Sequence, residues 1–176
     1  GKGIFTVATN VAKVSVAATT AGAAAVSTLT GLAINSYADY EQLVGGVETL
    51  YKTSADKVRQ YAADAYKTAG LSANEYMNTA TTFAAALVSS LGGDTEQAAE
   101  LANTAISDMS DNANKMGTNI SSIQDAYNGF AKQNYTMLDN LKLGYGGTKT
   151  EMERLIDDAN KLNAAQGKAT NYTIDS

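Results

Sequence analysis

Apolar side chains recur at every third or fourth position between residues 54 and 165, and glycine closes each run. That spacing gathers them on one face of a helix, because a helical turn takes 3.6 residues. The pattern predicts a first helix over 54–69. A second carries Met77, Ala80, Ala84, Leu87, Val88 and Leu91 on one face, and a third carries Ala98, Leu101, Ala105, Met109, Ala113 and Met116. A fourth is predicted to start near Asn119 and to continue through Ile120, Ile123, Tyr127, Phe130, Met137, Leu138 and Leu141, and a fifth spans 149–165.

Starts and stops agree with these periods. Gly70, Gly92, Gly93, Gly117 and the group Gly144, Gly146 and Gly147 follow helical runs, as a C-terminal cap in the left-handed region would. Ser72-x-x-Glu75, Asp94-x-x-Gln97 and Thr148-x-x-Glu151 place an acceptor side chain three residues before a helical N–H. The reading is all-α: several antiparallel helices joined by short glycine turns, elongated and oligomeric, after an uncharged alanine-rich N-terminal helix. Three segments are expected, at 1–50, 51–166 and 167–176, the last without helical period and therefore frayed or extended.

Composition sharpens this. The chain has no Pro, which removes the strongest interruption of helices. Hydrophobic residues make up 44%, but Trp is absent and Phe occurs 3 times, so alanine and the 10 Tyr must form the contacts. Close helix approach is favoured over a deep bulky core. The tyrosines, among them Tyr37, Tyr40, Tyr51, Tyr61, Tyr66 and Tyr76, are expected at core edges and between subunits with hydroxyls reaching water, since a stacking platform for single-stranded nucleic acid would need interleaved basic residues. The absence of Cys and His removes disulfides, thiolate zinc sites, the usual general base and the commonest metal ligand. A net charge of -5 opposes a sequence-independent grip on nucleic acid, which needs Lys and Arg to displace counterions.

Residues 14–38 carry no charge between Lys13 and Asp39, a length sufficient to cross a bilayer as a helix. Small residues at Ala17, Ala21, Gly22 and Ala25 would let helices approach closely, and Val14, Val26, Leu29, Leu32 and Ile34 supply the apolar surface. Interspersed Ser and Thr make insertion of a lone helix marginal. Both a self-associating helix and a membrane-entering one fit this run. A signal peptide fits less well, since Lys13 interrupts the stretch between Lys2 and the cleavage-like Ala23-Ala24-Ala25.

Other constellations lack the partners their chemistry needs. The stretch 144–150 superficially looks like a phosphate-binding loop, but Thr148 stands where a glycine should precede the lysine, and no strand is predicted before it. Glu96, Glu100, Asp108 and Asp111, and Glu151, Glu153, Asp157 and Asp158, read as solvated helix faces rather than a glycosidase pair. The Asn-x-Ser/Thr triplets at Asn119, Asn134 and Asn171 are those expected by chance in a chain rich in Asn and Thr. No catalytic, cofactor or metal residue is assigned.

The most specific stretches are 108–117 (DMSDNANKMG), 130–135 (FAKQNY) and 141–147 (LKLGYGG). Together they resemble the core of tail tape measure proteins of long-tailed bacteriophages, with weaker similarity at 40–48 and 72–76. The residues carrying the resemblance are Asp108, Met109, Asp111, Asn112, Lys115, Met116, Gly117, Phe130, Tyr135, Leu141, Gly144, Tyr145, Gly146 and Gly147. It implies an internal fragment of a structural rod in the tail tube lumen that sets tail length, assists tail assembly and leaves ahead of the genome. It implies partners among further copies of the chain and the tail tube and tail tip proteins, with transient contact with the host membrane and no sequence-specific nucleic acid. The start at Gly1 rather than Met fits such a fragment. A reading of another class, a pore-forming protein or toxin whose run 14–38 inserts while the other helices shield it, stays open.

Overall fold

The structure is a computed structural model that describes residues 23–174, with side-chain surroundings from residue 37 onward. It is all-helical, and no strand occurs among the described residues. Helix α1 is Ala23–Tyr51, α2 Ala55–Thr68, α3 Ala73–Ser90, α4 Thr95–Met116, α5 Ile120–Phe130 and α6 Lys149–Ala165. Short 3-10 turns fill Lys52–Ser54 and Leu138–Leu141.

Two units are distinguished, Gly1–Leu43 and Val44–Ser176. Of the first, α1 gives a helical backbone from residue 23, on which Tyr37 is half exposed and bonded to Glu41, which raises its phenol pKa. Val14, Ala17, Ala21 and Gly22 lie outside the described residues, as do the side chains of Ala25, Val26, Leu29, Leu32 and Ile34. Among the described residues no helix is long and apolar enough to cross a membrane.

The second unit holds the core. Val58, Ala62 and Ala65 of α2 and Met77, Ala80 and Ala84 of α3 are buried where these two helices pack. Ala98, Ala99, Ala102, Ile106 and Met109 of α4 meet α3, and Ile123 and Ala126 of α5 complete the interior. Alanines at these contacts let the helix axes come close, so dispersion contacts accumulate without large side chains.

Polar groups bridge the helices at a few buried points. The Tyr51 hydroxyl donates to the Ala80 carbonyl at 2.8 Å, and the Tyr76 hydroxyl to Asn103 Oδ1 at 2.9 Å. Ser110 Oγ donates to the Ala69 carbonyl at 2.5 Å, closing the end of α2 on α4. Each satisfies a group that burial would otherwise penalise. Tyr51 and Tyr76 thus depart from the expected core-edge placement: both are sealed, their hydroxyls reach protein rather than water, and burial pushes both phenols well above their ordinary range. Tyr66, 79% exposed, sits at the other extreme.

Helix starts match the local signals in detail. Ser72 and Glu75 form a reciprocal capping box, Asp94 accepts from the N–H groups of Glu96 and Gln97, and Thr148 accepts from that of Glu151. Gly117 ends α4 at φ 62°, a conformation that costs a residue with a Cβ.

Two sequence expectations are corrected. The helix from Asn119 does not reach Leu141; it stops at Phe130, and Leu138–Leu141 is a separate 3-10 turn. The chain reverses because Gln133 takes φ 57° and Asn134 N–H returns to the Gly129 carbonyl at 2.9 Å, a close of the Schellman type without its usual glycine. On α4 the buried stripe runs through Ala99, Ala102 and Ile106, leaving Leu101 44% exposed. The small residues decide that face, since they permit the closer approach of α3.

Candidate functional site

An apolar cleft of about 490 Å³ opens among the described residues. It is lined by Phe83 and Leu87 of α3, Met109 of α4, Tyr127 and Phe130 of α5, and Met152, Leu155 and Ile156 of α6. Tyr135, from the turn after α5, and residues 172–174 complete it. The aromatic wall is ordered: the rings of Tyr127 and Phe130 lie 5.7 Å apart and tilted, and those of Phe130 and Tyr135 lie 6.2 Å apart and nearly stacked. These separations suit attraction between ring faces and edges.

Electrostatics at the rim follow from burial. Removal from water, helped by the Asp108 charge, pushes the Tyr127 phenol up to about 12. Loss of water also raises the Asp108 carboxyl, with a contribution from Asp111. A raised acid binds its proton more tightly in the folded state, so its contribution to stability is full below pH 3.8, its ordinary value, and is lost as pH rises through the folded value. Asp108→Asn should therefore raise the urea midpoint at pH 7, and its advantage should vanish as the pH falls below 3.8. Equal gains at both ends of that range would contradict this origin.

The loop 141–147 is fastened to α4 and to α6. Asn112 Nδ2 donates to the Leu141 carbonyl at 3.1 Å. Gly146 N–H donates to Glu151 Oε2 at 3.2 Å, and Arg154 Nη2 donates to the Gly144 carbonyl at 3.3 Å. Arg154 also lies 4.4 Å from the centre of the Tyr145 ring, whose hydroxyl donates to Asp158 at 2.9 Å. The Arg154 guanidinium holds Glu151 below its usual carboxylate range, and the Tyr145 hydroxyl does the same for Asp158. Thr148 serves as the cap of α6, and the segment before it is a 3-10 turn rather than the strand of a phosphate-binding loop.

The three sequence stretches singled out above are thereby brought together. Met109, Phe130 and Tyr135 share the cleft; Asn112 holds Leu141; Gly144, Tyr145 and Gly146 bond to α6, and Gly147 approaches Thr136; Gly117 ends α4. Asp111 and Lys115 are exposed and Met116 half-buried; none of the three lines the cleft. Phe83, Leu87, Tyr127, Met152, Ile156 and Asn160 were not singled out as site residues, although the spacing of Met152, Leu155, Ile156 and Ala159 marks one apolar face of α6.

Six of the eight carboxylates enter ion pairs: Glu96 and Glu100 hold Lys57, Glu151 meets Arg154, Glu153 meets Lys149, and Asp157 and Asp158 meet Lys161. Among the described residues no group of three or more side chains could hold a metal ion. The cleft offers aromatic and aliphatic surface, and its chemistry is that of apolar binding.

Cleft and core answer added volume differently. Ala84 is fully buried and Ala105 lines the cleft, although both belong to expected packing faces. Ala84→Leu should cost about 1–3 kcal/mol by overpacking, whereas Ala105→Leu should be near neutral because its branches enter open space. Equal melting temperatures for the two variants would refute that distinction.

No family model, no curated protein and no solved structure matches the chain.

Proposed function

We propose that the chain is a structural segment of a phage tail tape measure protein, acting through helix length and self-association rather than through catalysis. The observation that carries this reading is the convergence of 108–117, 130–135 and 141–147 on one packed region. Residues that resemble one family and are far apart in sequence support a single construction. The all-helical fold and the alanine-lined contacts between helices suit a protein that assembles by side-by-side packing. In this reading the helices, joined by short glycine turns, run antiparallel, and copies of the chain associate in the tail tube. The tube and tip proteins are its neighbours, and the run 14–38 serves contact between copies and then with the host membrane during genome entry.

The test uses the full-length protein in its particles. Mass spectrometry of purified virions, before and after genome release is triggered in vitro, should find the protein in the tails first and lose it with the released DNA. Its absence from particles that have complete tails would overturn the assignment. Potassium efflux caused by the purified protein alone, without particles, would favour the pore-forming reading.

A further inference from the structure

The segment after α6 is non-helical, and its backbone is tied down by side chains of that helix. Gly167 turns the chain at φ 77°, and Lys168 N–H then donates to the Asn163 carbonyl at 2.8 Å. Asn160 engages both backbone groups of one residue: its Oδ1 accepts from Tyr172 N–H at 2.9 Å, and its Nδ2 donates to the Tyr172 carbonyl at 2.8 Å. Thr170 Oγ1 joins the same cluster, accepting from Asn163 Nδ2 at 3.1 Å and donating to Asn160 Oδ1 at 3.4 Å. Past this hold, Tyr172, Thr173 and Ile174 line the same apolar cleft as the aromatic rings.

We propose that residues 168–174 form a releasable strap over the cleft, with Asn160 as its catch. The argument rests on a contrast in how the two parts are held. Of the elements beside the cleft, α3 and α4 are fixed by buried alanine contacts, whereas Asn160 holds the strap by side-chain amide bonds to Tyr172 that are exposed to water. Water competes for those bonds, so the strap belongs to the part of the molecule that opens first. Tyr172 remains 53% exposed even when docked. The cover of the cleft is thus this chain's own segment, which lines it while docked, and release opens the cleft beside the rings of Tyr127, Phe130 and Tyr135. The sequence suits the role: Thr170, Thr173 and Ile174 are β-branched and favour extended backbone, and no helical period competes. This device is independent of the tail assignment, because it is measured on the isolated chain.

Hydrogen exchange and binding of the apolar dye anilinonaphthalene sulfonate, applied to the native chain, Asn160→Ala and Tyr172→Ala, test it. Asn160→Ala should strip protection from the Tyr172 amide and raise dye fluorescence several-fold, while α2, α3 and α4 keep their protection. Tyr172→Ala, at a half-exposed position where folding is not at stake, should also raise the fluorescence but leave the amide at 172 protected by the Asn160 catch. Unchanged fluorescence in both variants, or a Tyr172 amide equally protected in Asn160→Ala, would overturn the strap.

Discussion

Tyr51→Ala should lower the folding free energy by roughly 3–5 kcal/mol, the cost of emptying a large aromatic site in a packed interior. Tyr51, the last residue of α1, is fully buried, and its hydroxyl bonds across to the Ala80 carbonyl of α3. Alanine loses the burial of the ring, and the neighbouring alanines have too little reach to fill the void. Against a total stability of about 5–15 kcal/mol for an ordinary domain, that is a large share. Tyr51→Phe separates the terms: it keeps the ring and should cost only about 1 kcal/mol for the lost hydrogen bond. Urea titrations followed by circular dichroism measure both, and a Tyr51→Ala midpoint equal to that of the native chain would place the ring outside the core.

Gly147→Ala should be nearly as damaging, at about 3 kcal/mol, the upper end for overpacking. A Cβ at Gly147 would collide with the Thr136 carbonyl oxygen, and it would stand 2.8 Å from the carbonyl carbon. Backbone cannot rotate away as a side chain can, so either the loop 141–147 or the turn after α5 must shift. Both support the cleft. Gly146→Ala is the matched control, because its nearest neighbour would be Glu151 Cγ at an ordinary 3.8 Å. Thermal melting should show a marked drop for Gly147→Ala and little change for Gly146→Ala. Equal melting temperatures would mean that the loop and the turn do not approach closely at Gly147.

These residues show what could be read in advance. The starts at Ser72, Asp94 and Thr148 were legible because a capping side chain acts within three residues of itself, and the absence of Pro made an all-helical chain legible too. The end of α5 was not, because it depends on Gln133 adopting a left-handed backbone, which no residue type announces there. The face of α4 was misplaced at Leu101 because alanines surround that helix, and tertiary contact then chooses among several stripes of similar hydrophobicity. Tyr51 and Tyr76 entered the core because the Ala80 carbonyl and the Asn103 side chain met their hydroxyls, partners 29 and 27 residues away that spacing does not reveal. The cleft escaped for a similar reason. Its walls come from α3, α4, α5 and α6, and no local pattern links Met109 to Ile156.

Tail length tests the central claim most directly. In-frame deletions of whole helical turns from the full-length protein, made outside this segment, should shorten tails in proportion to the residues removed, by about 1.5 Å for each. Electron microscopy of the particles gives the slope. Tails that shorten steadily along the deletion series are the predicted result, and tails of unchanged length across it would contradict the tape measure account.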